Sequence, residues 1–185
     1  MKKWMFFAAV FAVFCSLANA QSASKETPNS ISYSIASYGG WPQRGESAQL
    51  SASVTLNDTT GAIEKFSFTA PLMSFIDAYG RSTSFLARLG NYWYYPDISF
   101  ASTTVEQKDK MYLVRGRLYF RGQNEPVTLT VSTQKDDNSI ALDGSFNFFA
   151  DDFLMFMPIG FNPGPVMMTF HANFELPVHT GGKAS

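Results

Sequence analysis

The chain has 185 residues, 45% of them hydrophobic and 16% aromatic, which is enough to build one domain around a real core. A formal net charge of −1 gives no general electrostatic pull toward nucleic acid, so nucleic acid is excluded as an expected partner. The single Cys, Cys15, excludes a disulfide framework within the chain and any multi-thiolate metal site.

In chain order, the first element is a targeting segment. Lys2 and Lys3 precede a short apolar run at 4–17, and Ala18-Asn19-Ala20 supplies a small-residue cleavage pattern before Gln21. The run is too short for a stable transmembrane helix. Residues 1–20 are therefore expected to be a signal peptide, the product periplasmic or secreted, and not membrane-spanning. Removal of Lys2 and Lys3 leaves 12 Lys and Arg against 15 Asp and Glu, a net charge of −3, and removes Cys15 as well. Residues 21–30 (QSASKETPNS) are small and polar and read as a disordered leader.

From there the dominant signal is period two. Leu50, Ala52, Val54 and Leu56 alternate with small polar residues, and Tyr112, Val114, Leu118 and Phe120 alternate with Arg115, Arg117 and Tyr119. Val127, Leu129 and Val131 do the same, as do Ile140, Leu142, Phe146 and Phe148, and Phe170, Ala172, Phe174 and Leu176. Such alternation means strands with one dry and one wet face. With weaker candidates added, eight strands are predicted, over 31–37, 48–56, 63–70, 97–105, 111–121, 126–133, 139–149 and 166–176. Polar turns at 57–61, 107–110, 122–125 and 136–138 make the connections short and the pairing antiparallel. One segment departs from this pattern: Ser82-Thr83-Ser84, then Phe85, Leu86 and Leu89, then Gly90, describe a short helix within the long connection 71–96. The expected fold is all-β: eight antiparallel strands spanning 31–178, with a polar tail at 179–185, that either close into a barrel or stack as two sheets; a membrane barrel is the competing geometry, and a closed eight-stranded barrel has room for one small ligand.

The stretch from Tyr92 to Val131 carries a resemblance. Tyr95-Pro96-Asp97-Ile98-Ser99-Phe100, then Tyr112-x-Val114-x-Gly116-x-Leu118-x-Phe120-x-Gly122, then Pro126-Val127-x-Leu129-x-Val131 resembles the YceI-like family. The resemblance implies an exported lipocalin-like barrel that binds polyisoprenoids and related long-chain lipids. The chain departs from that family where many members carry Arg-x-Asp-Phe-Gly near the seventh strand. Here Ala150-Asp151-Asp152-Phe153-Leu154 stands instead, without the cation.

Several constellations compete as sites. If the apolar face of the strands points inward, Leu118, Phe120, Leu129, Phe146, Phe148, Phe170 and Phe174 line the barrel interior, as a ligand wall or as solid packing. The Met- and Phe-rich stretch 153–168 offers an entrance loop through Phe153, Met155, Met157, Phe161 and Met168, or a surface for a protein partner or homodimer. Met155, Met157, Met167, Met168 and His171 are soft ligands of the kind Cu(I) takes, but Met167 and Met168 should face opposite ways, and no metal or cofactor is assigned. Arg115, Arg117 and Arg121 form an outward stripe, best read as a solvated strand face. Tyr92-Trp93-Tyr94-Tyr95 reads as the cap of a barrel end. His171 and His179 stand apart from any recognisable catalytic motif, and Asp151 and Asp152 are adjacent and unable to act as a pair on a strand. The expected function is binding without catalysis: an apolar small molecule, an isoprenoid or acyl lipid, held for transport, storage or sequestration. A protein-interaction module using 153–168 and an undetected hydrolase are the alternatives.

Overall fold

The computed structural model describes residues 28–36, 42–82, 84–136, 138–153 and 164–176. The expected signal peptide at 1–20, most of the expected leader at 21–30, the tail at 179–185, and Met155, Met157, Phe161 and His179 lie outside the described residues.

Among the described residues ten strands, not eight, form one antiparallel sheet. They are β1 (Ser30–Ile35), β2 (Gln43–Ser47), β3 (Ser51–Leu56), β4 (Ile63–Pro71), β5 (Ile76–Asp77), β6 (Asp97–Lys108), β7 (Met111–Phe120), β8 (Gln123–Lys135), β9 (Ser139–Phe149) and β10 (Pro165–Glu175). The order is β3-β4-β6-β7-β8-β9-β10-β1-β2-β5. The sheet curls into a half-barrel, so that Phe66 on β4 stacks on Phe170 of β10, five places away in the order, at 5.2 Å between ring centroids. Its two ends are tied covalently, since β2 runs on into β3 through residues 48–50 and β4 into β5 through 72–75.

The two strands beyond the expected eight, β2 and β5, escape a periodicity search for a physical reason. β2 reads Gln-Arg-Gly-Glu-Ser, and its inward positions are Gly45 and Ser47. Gly45 is there because the Tyr33 ring lies across it: a Cβ would stand 2.6 Å from the ring. Ser47 is buried because its hydroxyl is satisfied, bonding Ser74 Oγ at 2.6 Å and accepting from the Gln49 amide at 3.0 Å. β5 is a two-residue strand paired to β2 at Gly45–Asp77 and Glu46–Ile76.

On β7, Tyr112, Val114, Leu118 and Phe120 are buried while Arg115 and Arg117 are exposed. Arg121 is a correction. It lies off the strand face, in the β7–β8 turn, with φ 52°, followed by Gly122 with φ 75°. Positive φ at both central residues is the geometry of a type I′ hairpin, so the loop is two residues long and β8 starts at Gln123.

The expected helix is α1 (Phe85–Gly90), started by Ser84, whose side chain accepts from the Ala87 amide at 3.3 Å. Asn91, in the left-handed conformation, closes it. α1 lies over the end of the sheet where β4, β7 and β9 finish: Leu86 and Ala87 are buried, and Gly90 is so close to Leu72 and Phe120 that a Cβ would stand 2.5 and 2.8 Å from them. Asp151 and Asp152 sit exposed on a 3₁₀ turn (Ala150–Phe153) rather than on a strand.

Candidate functional site

The inner wall is built from alternate positions of β1, β4 and β6 to β10 and is apolar. Among the described residues, Ser47 and Ser84 are the buried polar side chains, and no charged residue is buried. Two glycines shape the wall. At Gly116 and Gly144 a Cβ would meet the Phe100 and Phe170 rings at 2.4 and 2.2 Å, so each glycine is a hollow into which a ring from a nearby strand sinks. The rings so seated complete a layer: Phe68 stacks on Phe100 at 5.7 Å and contacts Phe146 at 5.9 Å and Phe170 at 5.7 Å.

Toward the α1 end the inside is closed by a second aromatic group. Phe153 sits edge-on to Phe120 at 5.6 Å and to Phe148 at 5.0 Å, and Phe120 and Phe148 are 5.5 Å apart. Met168 is fully buried on β10, whereas Met167 is exposed. Of the residues singled out from sequence, Leu118, Phe120, Leu129, Phe146, Phe148 and Phe170 are buried, and Phe174 is half-buried.

Phe174 belongs to a different place, at the opposite end. The pairing of β1 with β10 stops at Ser30–His171, although β10 continues to Glu175. Beyond that point the Asn173 amide donates to the Asn29 side chain at 2.7 Å, and a cleft of about 600 Å³ opens between β10 and the far end of β3. Val54, Leu56, Phe174 and Leu176 form its apolar side; Lys135 and the β3–β4 turn form its polar rim. Sequence reasoning recognised Val54 and Leu56 as strand residues but not as part of a site, because the site exists only where one strand stops short of its neighbour.

The outer face carries ordinary cross-strand pairs. Arg115 pairs with Glu106, Arg117 bonds the side chain and backbone of Asn124, and Arg121 donates to the Leu89 carbonyl at 3.4 Å. His171 projects outward and its Nδ1 lies 2.8 Å from Asp143 Oδ1. No group of three or more His, Cys, Asp or Glu with metal-binding geometry occurs among the described residues.

The YceI-like domain model matches residues 24–178, most of the chain. The chain belongs to the YceI-like family. Solved structures agree on the fold: BcnA of Burkholderia cenocepacia is 20% identical with a TM-score of 0.62, covering 78% of this chain and 96% of that one. The YceI protein of Campylobacter jejuni is 15% identical with a TM-score of 0.55, covering 72% and 84%. No curated protein matches the chain. No helix among the described residues is long and apolar enough to cross a membrane.

Proposed function

We propose that this YceI-like protein is an exported carrier that holds one long-chain apolar molecule, an isoprenoid or acyl lipid, against the inside of its curled sheet, without catalysis. The observation that carries the reading is the cleft at the open end of the apolar wall: about 600 Å³, lined on its apolar side by Val54, Leu56, Phe174 and Leu176. That volume is in the range of small-molecule sites, roughly 300–1,000 Å³. Each methylene removed from water there contributes about 0.8 kcal/mol, so a chain of several isoprene units binds without a charged anchor. Membership in a family known for polyisoprenoid-binding barrels supports the same reading.

The mouth is the cleft, and the floor is the Phe120–Phe148–Phe153 group. A chain longer than the cleft extends toward Phe66 and Phe170, whose stacked rings must part to admit it. Leu118, Leu129 and Phe146 continue the wall beyond them.

Native mass spectrometry of the protein purified from its own host tests the reading directly, with copurified lipid as the expected result. Phe174→Arg should abolish that lipid and the uptake of fluorescent prenyl probes, because it sets a charge in the apolar mouth. Phe174 is half-buried, so the guanidinium can reach water and the fold should survive, as circular dichroism will show. A well-folded wild-type protein with neither copurified lipid nor uptake of prenyl or acyl probes would overturn the proposal.

A further inference from the structure

We propose that the α1 end of the half-barrel is a docking surface for the interfacial layer of a phospholipid bilayer. The pairs Pro71–Asp97, Phe120–Gln123 and Phe149–Pro165 place the connections after β4, β7 and β9 at this one end. Contacts hold the segments together there: Leu72 lies against Gly90, Arg121 reaches Leu89, and the Tyr95 ring covers Gly122.

Tyr79, Trp93 and Tyr94 all belong to the connection 72–96 that leaves β4 at this end, and are 80%, 79% and 78% exposed. Rings of that size left in water are costly apolar surface, and three of them on one connection mark a surface that something covers. Their chemistry says what. Each is a Trp or Tyr, an apolar ring with one polar edge, which is the side-chain type that settles at the boundary between lipid tails and water. They are also held in place before any partner arrives. The Tyr94 and Tyr95 amides both donate to the Asn91 carbonyl, at 2.9 and 3.1 Å, fixing a rigid turn, and Tyr92 packs against Trp93 at 4.8 Å. Arg81 lies 5.0 Å over the Tyr79 ring while paired to Asp77.

Charge decides which lipid surface fits. Residues 72–96, 121–122 and 150–153 carry Arg81, Arg88 and Arg121 against Asp77, Asp151 and Asp152, a balance with no preference for anionic headgroups. Docking therefore rests on ring insertion, works on a zwitterionic surface, and resists salt. It leaves the cleft at the opposite end facing water, and it does not depend on cargo being bound.

Cosedimentation with phosphatidylcholine vesicles tests this, using the chain from Gln21 onward. That chain retains every strand found among the described residues and lacks the apolar run at 4–17, which would bind lipid by itself. Wild-type protein should bind equally at low and high salt. Trp93→Ala/Tyr94→Ala should bind at least about tenfold more weakly, while Met111→Ser, at the β6–β7 turn of the other end, should match wild type. The proposal fails if wild type stays off the vesicles, if the double variant binds as well, or if binding needs anionic lipid and disappears in salt. It also fails if the double variant abolishes self-association of a protein that ignores vesicles, which would give the surface to a second copy of the chain.

Discussion

Gly116 and Gly144 look alike in sequence, each an interruption in an alternating strand, yet their surroundings predict different responses to alanine. At Gly144 the obstacle is the Phe170 ring, with three of its atoms within 3.0 Å of the added Cβ. At Gly116 it is the Phe100 ring and also the Ala101 carbonyl oxygen at 2.3 Å, which is backbone. Either alanine should destabilise by about 1–3 kcal/mol, the cost of overpacking, with Gly116→Ala the larger. The double variants separate the two: Gly144→Ala/Phe170→Leu should recover part of the loss in urea unfolding, and Gly116→Ala/Phe100→Leu should not, since the carbonyl remains. Asp77 provides a pH-dependent counterpart. Its carboxylate accepts from the Arg81 and Tyr79 amides at 3.0 and 2.9 Å and from Arg81 Nε at 2.8 Å, and the Arg81 amide bond foremost holds its pKa below the ordinary aspartate value. A depressed folded pKa means that the turn is stabilised above the unfolded aspartate pKa and loosens as pH falls through the folded one. The Tyr79 and Arg81 amide shifts should therefore titrate with a midpoint below that of an unstructured aspartate, and Asp77→Asn should abolish the titration.

Helix α1 is six residues long, too short to persist alone, so its start and its packing determine whether it forms. Ser84 is fully buried and caps it, and the Leu86 amide donates to the Tyr33 hydroxyl at 3.5 Å, tying the helix to β1. Ser84→Ala should cost about 1 kcal/mol in global unfolding and speed exchange of the Ala87 amide, which loses its acceptor. This helix was legible because its signals are local: a hydroxyl, an apolar face, a Gly. The long hairpins were legible for the same reason, down to which of Arg115 and Phe120 faces out. β2 and β5 were not, because burial there comes from partners distant in sequence: Tyr33 over Gly45, and Ser74 against Ser47. The β7–β8 turn comes one residue earlier than alternation predicts, because alternation carries Arg121 onto the strand while its backbone has already turned to positive φ.

At the scale of the whole molecule the half-barrel divides into a packed part and an open part. The inner wall could be read from alternation alone, but the cleft could not, since it depends on β1 ending at the level of His171 and on β3 being an edge of the sheet. The packed part, with its interlocked phenylalanines, should set the global stability; the open part, where Val54, Leu56 and Phe174 are only half-buried, should unfold locally at lower cost. If cargo occupies the cleft, its effect must fall where apolar surface is still exposed. A ligand that binds the folded state alone adds about 2.7 kcal/mol at a hundred times its Kd. Saturating a lipid-free preparation with a prenyl probe should thus raise the unfolding midpoint, and hydrogen exchange should slow most in β3 and in 172–176. The amides of β7 that face β8 should change only by the global increment, because that ladder is already closed on both sides. Protection gained instead around Phe120 and Phe153, with β3 unaffected, would move the mouth to the α1 end and make the cleft a bystander.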